Sequence, residues 1–305
     1  LFTTVLSPYG KYFGYWSQST PVYGGLVHVY LCLDSGLIIG EKIKAINNLS
    51  RGLDGDEDEF EGENEYNLIS KLKPKYERTK LFQINPNENE KLCLGHDNGS
   101  HSMDINYVRK KRVPLNNSPA LLMAEHTILN EEVDDLYFTT NCSLKMDIYH
   151  PICYSIYENQ IPFSSREWSL SCLKGIWVGT YSTHGLEFLY LNSITNFVCP
   201  TSLGKECLIS DKVLENVLIA TKITGDPNVP RGEISFVALK QMDNVDSKNN
   251  DFIQQRCFQA AGQIAATGFV NPSYIKTKLE VVSNDEILIT WYQLYHISRY
   301  KRCVF

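Results

Sequence analysis

The chain has no apolar run approaching the roughly 18 residues that a membrane-spanning helix needs, and no segment of its 305 residues reads as a membrane anchor. It has no C-x-x-C pair. Its nine cysteines (Cys32, Cys93, Cys142, Cys153, Cys172, Cys199, Cys207, Cys257 and Cys303) are odd in number and thinly spread. That spacing argues against a disulfide framework and for reduced thiols in an intracellular protein, cytoplasmic, nuclear or both. In that setting the triplets starting at Asn48, Asn98 and Asn141 are chance matches to the glycosylation pattern. G-x-S-x-G, H-E-x-x-H, the P-loop and G-x-G-x-x-G are all missing, so no enzyme signature stands in the chain. A basic stripe is missing too. Arg109-Lys110-Lys111-Arg112 is the nearest approach and fits a solvated strand end, which leaves no nucleic-acid partner expected. No repeat of fixed period is found.

What is present is aromatic and β-prone. Eighteen Tyr and 13 Phe accompany a hydrophobic content of 43%, enough for a sizeable core with a bias to strands. Net charge is −6, and eight acids with no base fall between 54 and 65, so the rest of the chain is close to neutral. That acidic insertion, about 50–70, cannot bury enough apolar surface to order itself and is expected to be mobile. Residues 1–23 read as irregular structure packed by its own rings. Leu26–Leu33 and Leu37–Ile43, joined at Asp34-Ser35-Gly36, read as a hairpin. Residues 120–140 have roughly helical apolar spacing, and 145–160 leave strand and helix open. From Lys174 onward the pattern is nearly pure β. The expected fold is mainly β: one antiparallel barrel domain over 1–305, with a few peripheral helices and long loops.

One stretch stands out, Ala220–Gly232, ATKITGDPNVPRG. An apolar run enters it and Glu233–Leu239 leaves it, so it joins two strands. Pro227 and Pro230 fix their own φ and hold the preceding residues extended. A loop stiffened in this way loses little entropy on meeting a partner, although such a loop is also a common structural turn. His184 and Glu187 flank the turn into another strand, and His184 is a candidate neighbour for Asp226 in a barrel mouth. Gly175-Ile176-Trp177-Val178-Gly179-Thr180-Tyr181 has the G-x-W opening common in calyx barrels. Cys93, His96 and His101 make part of a metal set, but a zinc tetrahedron needs four donors and no second local pair follows.

Gly179–Glu187 and Ala220–Gly232, with 21–26, 36–40 and 262–269, resemble the F-box only protein 31 family in order and nearly end to end. The longest blocks are TYSTHGLE and TKITGDPNVPRG. The resemblance implies the substrate-binding β-barrel of an SCF ubiquitin-ligase receptor, which binds C-terminal tails of target proteins for ubiquitination and degradation and is itself non-catalytic. Skp1 and the cullin would be reached through an F-box expected upstream of Leu1. The implied substrate-binding residues are Asp226, Thr224, Asn228, His184, Lys222 and Tyr181, with Asp226 as the leading hydrogen-bond acceptor. The family's zinc set matches here at Cys93 and His101 only, so no cofactor is expected. A small-molecule calyx is the alternative, and an enzyme with a fold-assembled site ranks last.

Overall fold

The computed structural model describes residues 5–19, 23–46, 74–96, 99–111, 134–142, 146–152, 161–180, 185–199, 203, 213–242 and 256–305. The strands close into two antiparallel barrels of eight strands each. One barrel domain over 1–305 is the sequence expectation; proximity along the backbone divides the chain into two compact units, each holding one of these barrels. The acidic insertion lies outside the described residues, as do residues 120–133 of the expected helix. The rest of that segment, from Asp134, is strand.

The first barrel runs in chain order through β1 (Gly14–Gln18), β2 (Gly25–Leu31), β3 (Ile38–Ile46), β4 (Lys75–Asn85), β5 (Glu90–His96), β6 (Gly99–Lys111), β7 (Asp134–Cys142) and β8 (Met146–Ile152), and β8 pairs back onto β1. Alternation along each strand sends every second side chain inward. Trp16, Val27, Val29, Ile38, Phe82, Ile84, Phe138 and Tyr149 are among those that fill the interior. Phe138 sits at its centre, stacked on Tyr149 at 4.4 Å between centroids and edge-on to Trp16 at 4.6 Å. The aromatic entry segment is therefore not irregular throughout. Its rings serve a strand, because Tyr15 and Trp16 are needed to close the barrel against β8.

The second barrel comprises β9 (Gly175–Thr180), β10 (Leu186–Ile194), β13 (Val217–Lys222), β14 (Ile234–Gln241), β15 (Arg256–Ala266), β16 (Val270–Ser283), β17 (Glu286–Trp291) and β18 (His296–Arg302). A small ribbon of β11 (Phe197–Val198) and β12 (Val213–Leu214) stands apart from this ring, and Phe197 packs with Val217, Ile219 and Tyr274. The barrel interior is solid. Trp177, Trp291, Phe236 and Tyr300 are fully buried in it. A Cβ on Gly262 would overlap the Trp291 ring, so glycine there is what lets the ring lie flat across the interior. A calyx with an open lumen is not what these side chains build.

Both barrels open with the same device. A 3₁₀ turn precedes a glycine at positive φ, and the strand then carries a tryptophan two residues on. Gly14 has φ +117° and Trp16 Nε1 donates to Tyr12 O at 2.7 Å; Gly175 has φ +146° and Trp177 Nε1 donates to Leu173 O at 2.8 Å. Only glycine takes that backbone without strain. In the second barrel Arg302, in the last strand, lies 4.8 Å from the Trp177 ring centre and donates to Lys174 O and Cys172 O, stapling the final strand to the opening turn.

Candidate functional site

Because neighbouring strands are antiparallel, the connections after β9, β13, β15 and β17 all fall at one end of the second barrel. The stretch singled out from the sequence is the β13–β14 connection, 223–233, at that end. Its base is closed by Lys222 N donating to Glu233 O (2.9 Å) and Gly232 N to Lys222 O (2.8 Å). Asp226 and Val229 form a tight turn inside it. Asp226 Oδ1 accepts from Asn228 N (2.6 Å) and Val229 N (2.8 Å), a side chain imitating backbone in the way turn aspartates do. Gly225 lets the two limbs approach; a Cβ there would overlap the Arg231 backbone nitrogen.

The loop is also tied outward. Thr224 Oγ1 accepts from Phe188 N of β10 at 2.8 Å, and Phe188 O accepts from Ile223 N. Asn228 Nδ2 donates to Ala265 O at 2.9 Å, and Pro227 O accepts from Gly268 N at 2.8 Å. These bonds tie the loop to the start of β10 and to the β15–β16 turn, so two of the four connections share one rigid rim.

Beneath the loop lies a buried ionic cluster. Lys222, Glu187 and Asp226 are 2%, 3% and 5% exposed. Lys222 Nζ bonds Asp226 Oδ2 and stands 2.8 Å from Glu187 Oε2. The second contact is an ion pair by distance, but neither Glu187 oxygen receives a well-directed hydrogen bond. Burial pushes the Glu187 carboxyl up to about 8, against the pull of Lys222 and with the added push of Asp226. Burial also raises Asp226, but Lys222 and the Val229 and Asn228 amides outweigh it and hold that carboxyl below its ordinary range. The two carboxyls are thus pushed in opposite directions, Glu187 towards the protonated form by burial and Asp226 towards the carboxylate by Lys222 and the loop amides. This avoids leaving a second, uncompensated negative charge in the barrel.

Of the residues expected to bind substrate, Asp226, Thr224, Asn228 and Lys222 are brought together. Each spends polar groups inside the protein on shaping the loop. His184 and Tyr181 lie outside the described residues. Glu187 is the member that the loop sequence does not reveal. Its signal is parity, since it shares the inward face of β10 with Leu189 and Leu191.

Three side chains around the rim are large, apolar and exposed. Tyr292, Leu294 and Tyr295, after β17, are 44%, 51% and 98% exposed. Tyr295 takes φ 51°, and Phe269 on the neighbouring connection and Asn271 at the start of β16 have φ 59° and 51°. Non-glycine residues in that region carry strain, and three of them gather at this one end.

In the first barrel Cys93 and His101 stand directly opposite each other on β5 and β6. They supply two of the four donors a structural zinc requires. No group of three or more His, Cys, Asp or Glu able to hold a metal occurs among the described residues.

Residues 155–304, a little under half of the chain and including all of the second barrel, match the family model described as Cyclin D1 binding domain. A stretch of 118 residues is 26% identical to Protein EXECUTER 2, chloroplastic, from Oryza sativa subsp. japonica, covering 37% of this chain and 18% of that protein. The match thus spans less than a fifth of that relative's length. No helix among the described residues is long and apolar enough to cross a membrane.

Proposed function

We propose that the second barrel is a protein-binding module, the substrate domain of an intracellular SCF-type ubiquitin-ligase receptor resembling the F-box only protein 31 family. It takes the C-terminal tail of a target protein as an extended segment at the loop-bearing end of the barrel. Skp1 and the cullin are engaged through an F-box carried elsewhere in the full protein. The chain contributes recognition and no bond-making step.

The observation that carries this reading is the rim itself: a loop locked by its own bonds at the same end of a filled barrel as the exposed Tyr292, Leu294 and Tyr295. Exposed apolar side chains gathered in this way suit a protein ligand, and aromatic anchors are the usual energetic centre of such contacts. The match to a family described as binding cyclin D1 supports a protein partner in the same direction. Asp226 serves by fixing the loop, so that outward-facing backbone and aromatic groups meet the tail without an ordering penalty.

The test is a screen of C-terminal peptides, each ending as free acid or amide, against the whole chain by fluorescence anisotropy. Selected peptides should lose at least about tenfold in affinity on Tyr295→Ser, as expected for an aromatic anchor. Tyr295 is 98% exposed, so this change leaves the core untouched. Absence of binding by every peptide, or equal binding by wild type and Tyr295→Ser, would overturn the reading.

A further inference from the structure

The charged groups at the loop-bearing end of the second barrel divide by sign. In the segments 185–190, 220–236, 262–277 and 290–298, which make up that end among the described residues, the acids are Glu187, Asp226 and Glu233. All three are buried, at 3%, 5% and 7% exposure. Burial pushes the Glu187 and Glu233 carboxyls up, towards the uncharged form. Asp226 is held towards the carboxylate, and the buried Lys222 ammonium bonds it directly. The basic residues of these segments that reach the surface are Arg231, half-buried, and Lys276, exposed. The exposed acids Glu215 and Asp285 lie at the opposite end.

Strand register sets where these two cations stand. Lys276 precedes Thr277, which pairs with Trp291, the last residue of β17. It therefore stands beside the turn that presents Tyr292, Leu294 and Tyr295. Strand alternation points it outward, between the buried Ile275 and Thr277. Arg231 belongs to the loop that Asn228 ties to Ala265 of the β15–β16 hairpin. The strands β13 to β17 follow one another round the barrel. Passing round the rim, the order is thus Arg231, the exposed Val270 of the hairpin, Lys276 and the apolar turn. With the acids of this end buried, the field at its surface is set by the two cations and is positive. Complementary charge of this kind selects partners and speeds encounter more than it adds raw affinity.

We infer that the segment taken at this rim is acidic: an extended C-terminal stretch whose apolar side chains rest on Tyr292, Leu294 and Tyr295 while its carboxylates meet Lys276 and Arg231. This rests on the reading of the rim as a tail-binding surface and adds the class of tail that it selects.

The test uses the whole chain and three versions of the tightest peptide from the tail screen, carrying two Glu, two Gln or two Lys upstream of the same apolar end. Binding is followed by fluorescence anisotropy at low and at high NaCl. The Glu peptide should bind more tightly than the Gln peptide by about two- to fivefold per charge, the range of surface ion pairs. That advantage should fade as added salt shortens the screening length. The Lys peptide should bind most weakly. Lys276→Glu should reverse the order, so that the Lys peptide binds better than the Glu peptide, and Arg231→Gln should shrink the advantage of the Glu peptide. Lys276 is exposed, so its replacement should leave the melting temperature unchanged. Equal binding of the three peptides, a wild-type preference for the Lys peptide, or an unchanged order in Lys276→Glu would each overturn this inference and leave the tail reading standing. A screen in which no peptide binds would overturn both.

Discussion

At the scale of single residues, the cluster beneath the β13–β14 loop sets two pH dependences of opposite sign. Glu187 is raised from 4.5 to about 8 on folding. Its contribution to stability is full below the lower value and is lost as pH rises towards the upper one, because the folded state holds a proton the unfolded state has released. Glu187→Gln should flatten that decline, so the gap between wild type and variant in urea midpoint should move in the variant's favour between about pH 5 and about pH 8. Asp226 is lowered on folding. Its contribution is present above its ordinary range and is lost as pH falls through the folded value. Asp226→Asn should therefore cost about 1–3 kcal/mol at neutral pH, the usual price of breaking a buried charged hydrogen-bond set. The deficit should shrink in acid, measured by the same titration. Legibility was uneven here. Asp226 was readable as a key loop residue from GDPN and its prolines. That its carboxylate faces Lys222 and its own loop amides was not, because Lys222 reaches the cluster only through the inward pleat of β13.

At the scale of elements, the loop is a closed object with its own internal bonds, and Gly225 is where its limbs meet. Gly225→Ala forces a methyl group onto the Arg231 backbone, and overpacking of this kind typically costs about 1–3 kcal/mol. Because the loop holds Phe188 and Ala265 through Thr224 and Asn228, hydrogen exchange at Phe188 N and Gly268 N should accelerate in this variant. Local unfolding would be reported there before the barrel core loosens. The strands themselves were largely visible beforehand. The hairpin of β2 and β3, the run of β9 and β10, and the closing β16–β17 hairpin follow from alternation and turn residues. The helical reading of 120–140 failed where β7 begins, since from Asp134 the chain pairs antiparallel with β6 instead of coiling.

At the scale of the molecule, each barrel is sealed by side chains rather than by a ligand, and each has its own aromatic centre. Phe138 is fully buried among Trp16, Phe82 and Tyr149. Phe138→Ala should cost about 3–5 kcal/mol, as large aromatic deletions in tight cores do, and should appear as a lower thermal midpoint. The paired opening device has the same molecular scope. Gly175-Ile176-Trp177 is conspicuous because smooth β sequence follows it, whereas Gly14-Tyr15-Trp16 is hidden among neighbouring rings. The two become equivalent only when each tryptophan is seen to bond the carbonyl four residues back.

The sequence by itself determined the β class, the alternating cores, the stiffness of the 223–233 loop and the absence of familiar catalytic motifs, because period, proline and glycine act locally. Tertiary structure alone decided that there are two barrels, that Glu187 joins Lys222 and Asp226, and that Arg256 stands over Trp168 while bonding Phe163 O and Ser165 O. Each of these depends on strand register and closure, which bring together residues tens of positions apart. For the β13–β14 loop, closure decided the role of its aspartate: buried against Lys222, it holds the rim in shape from within.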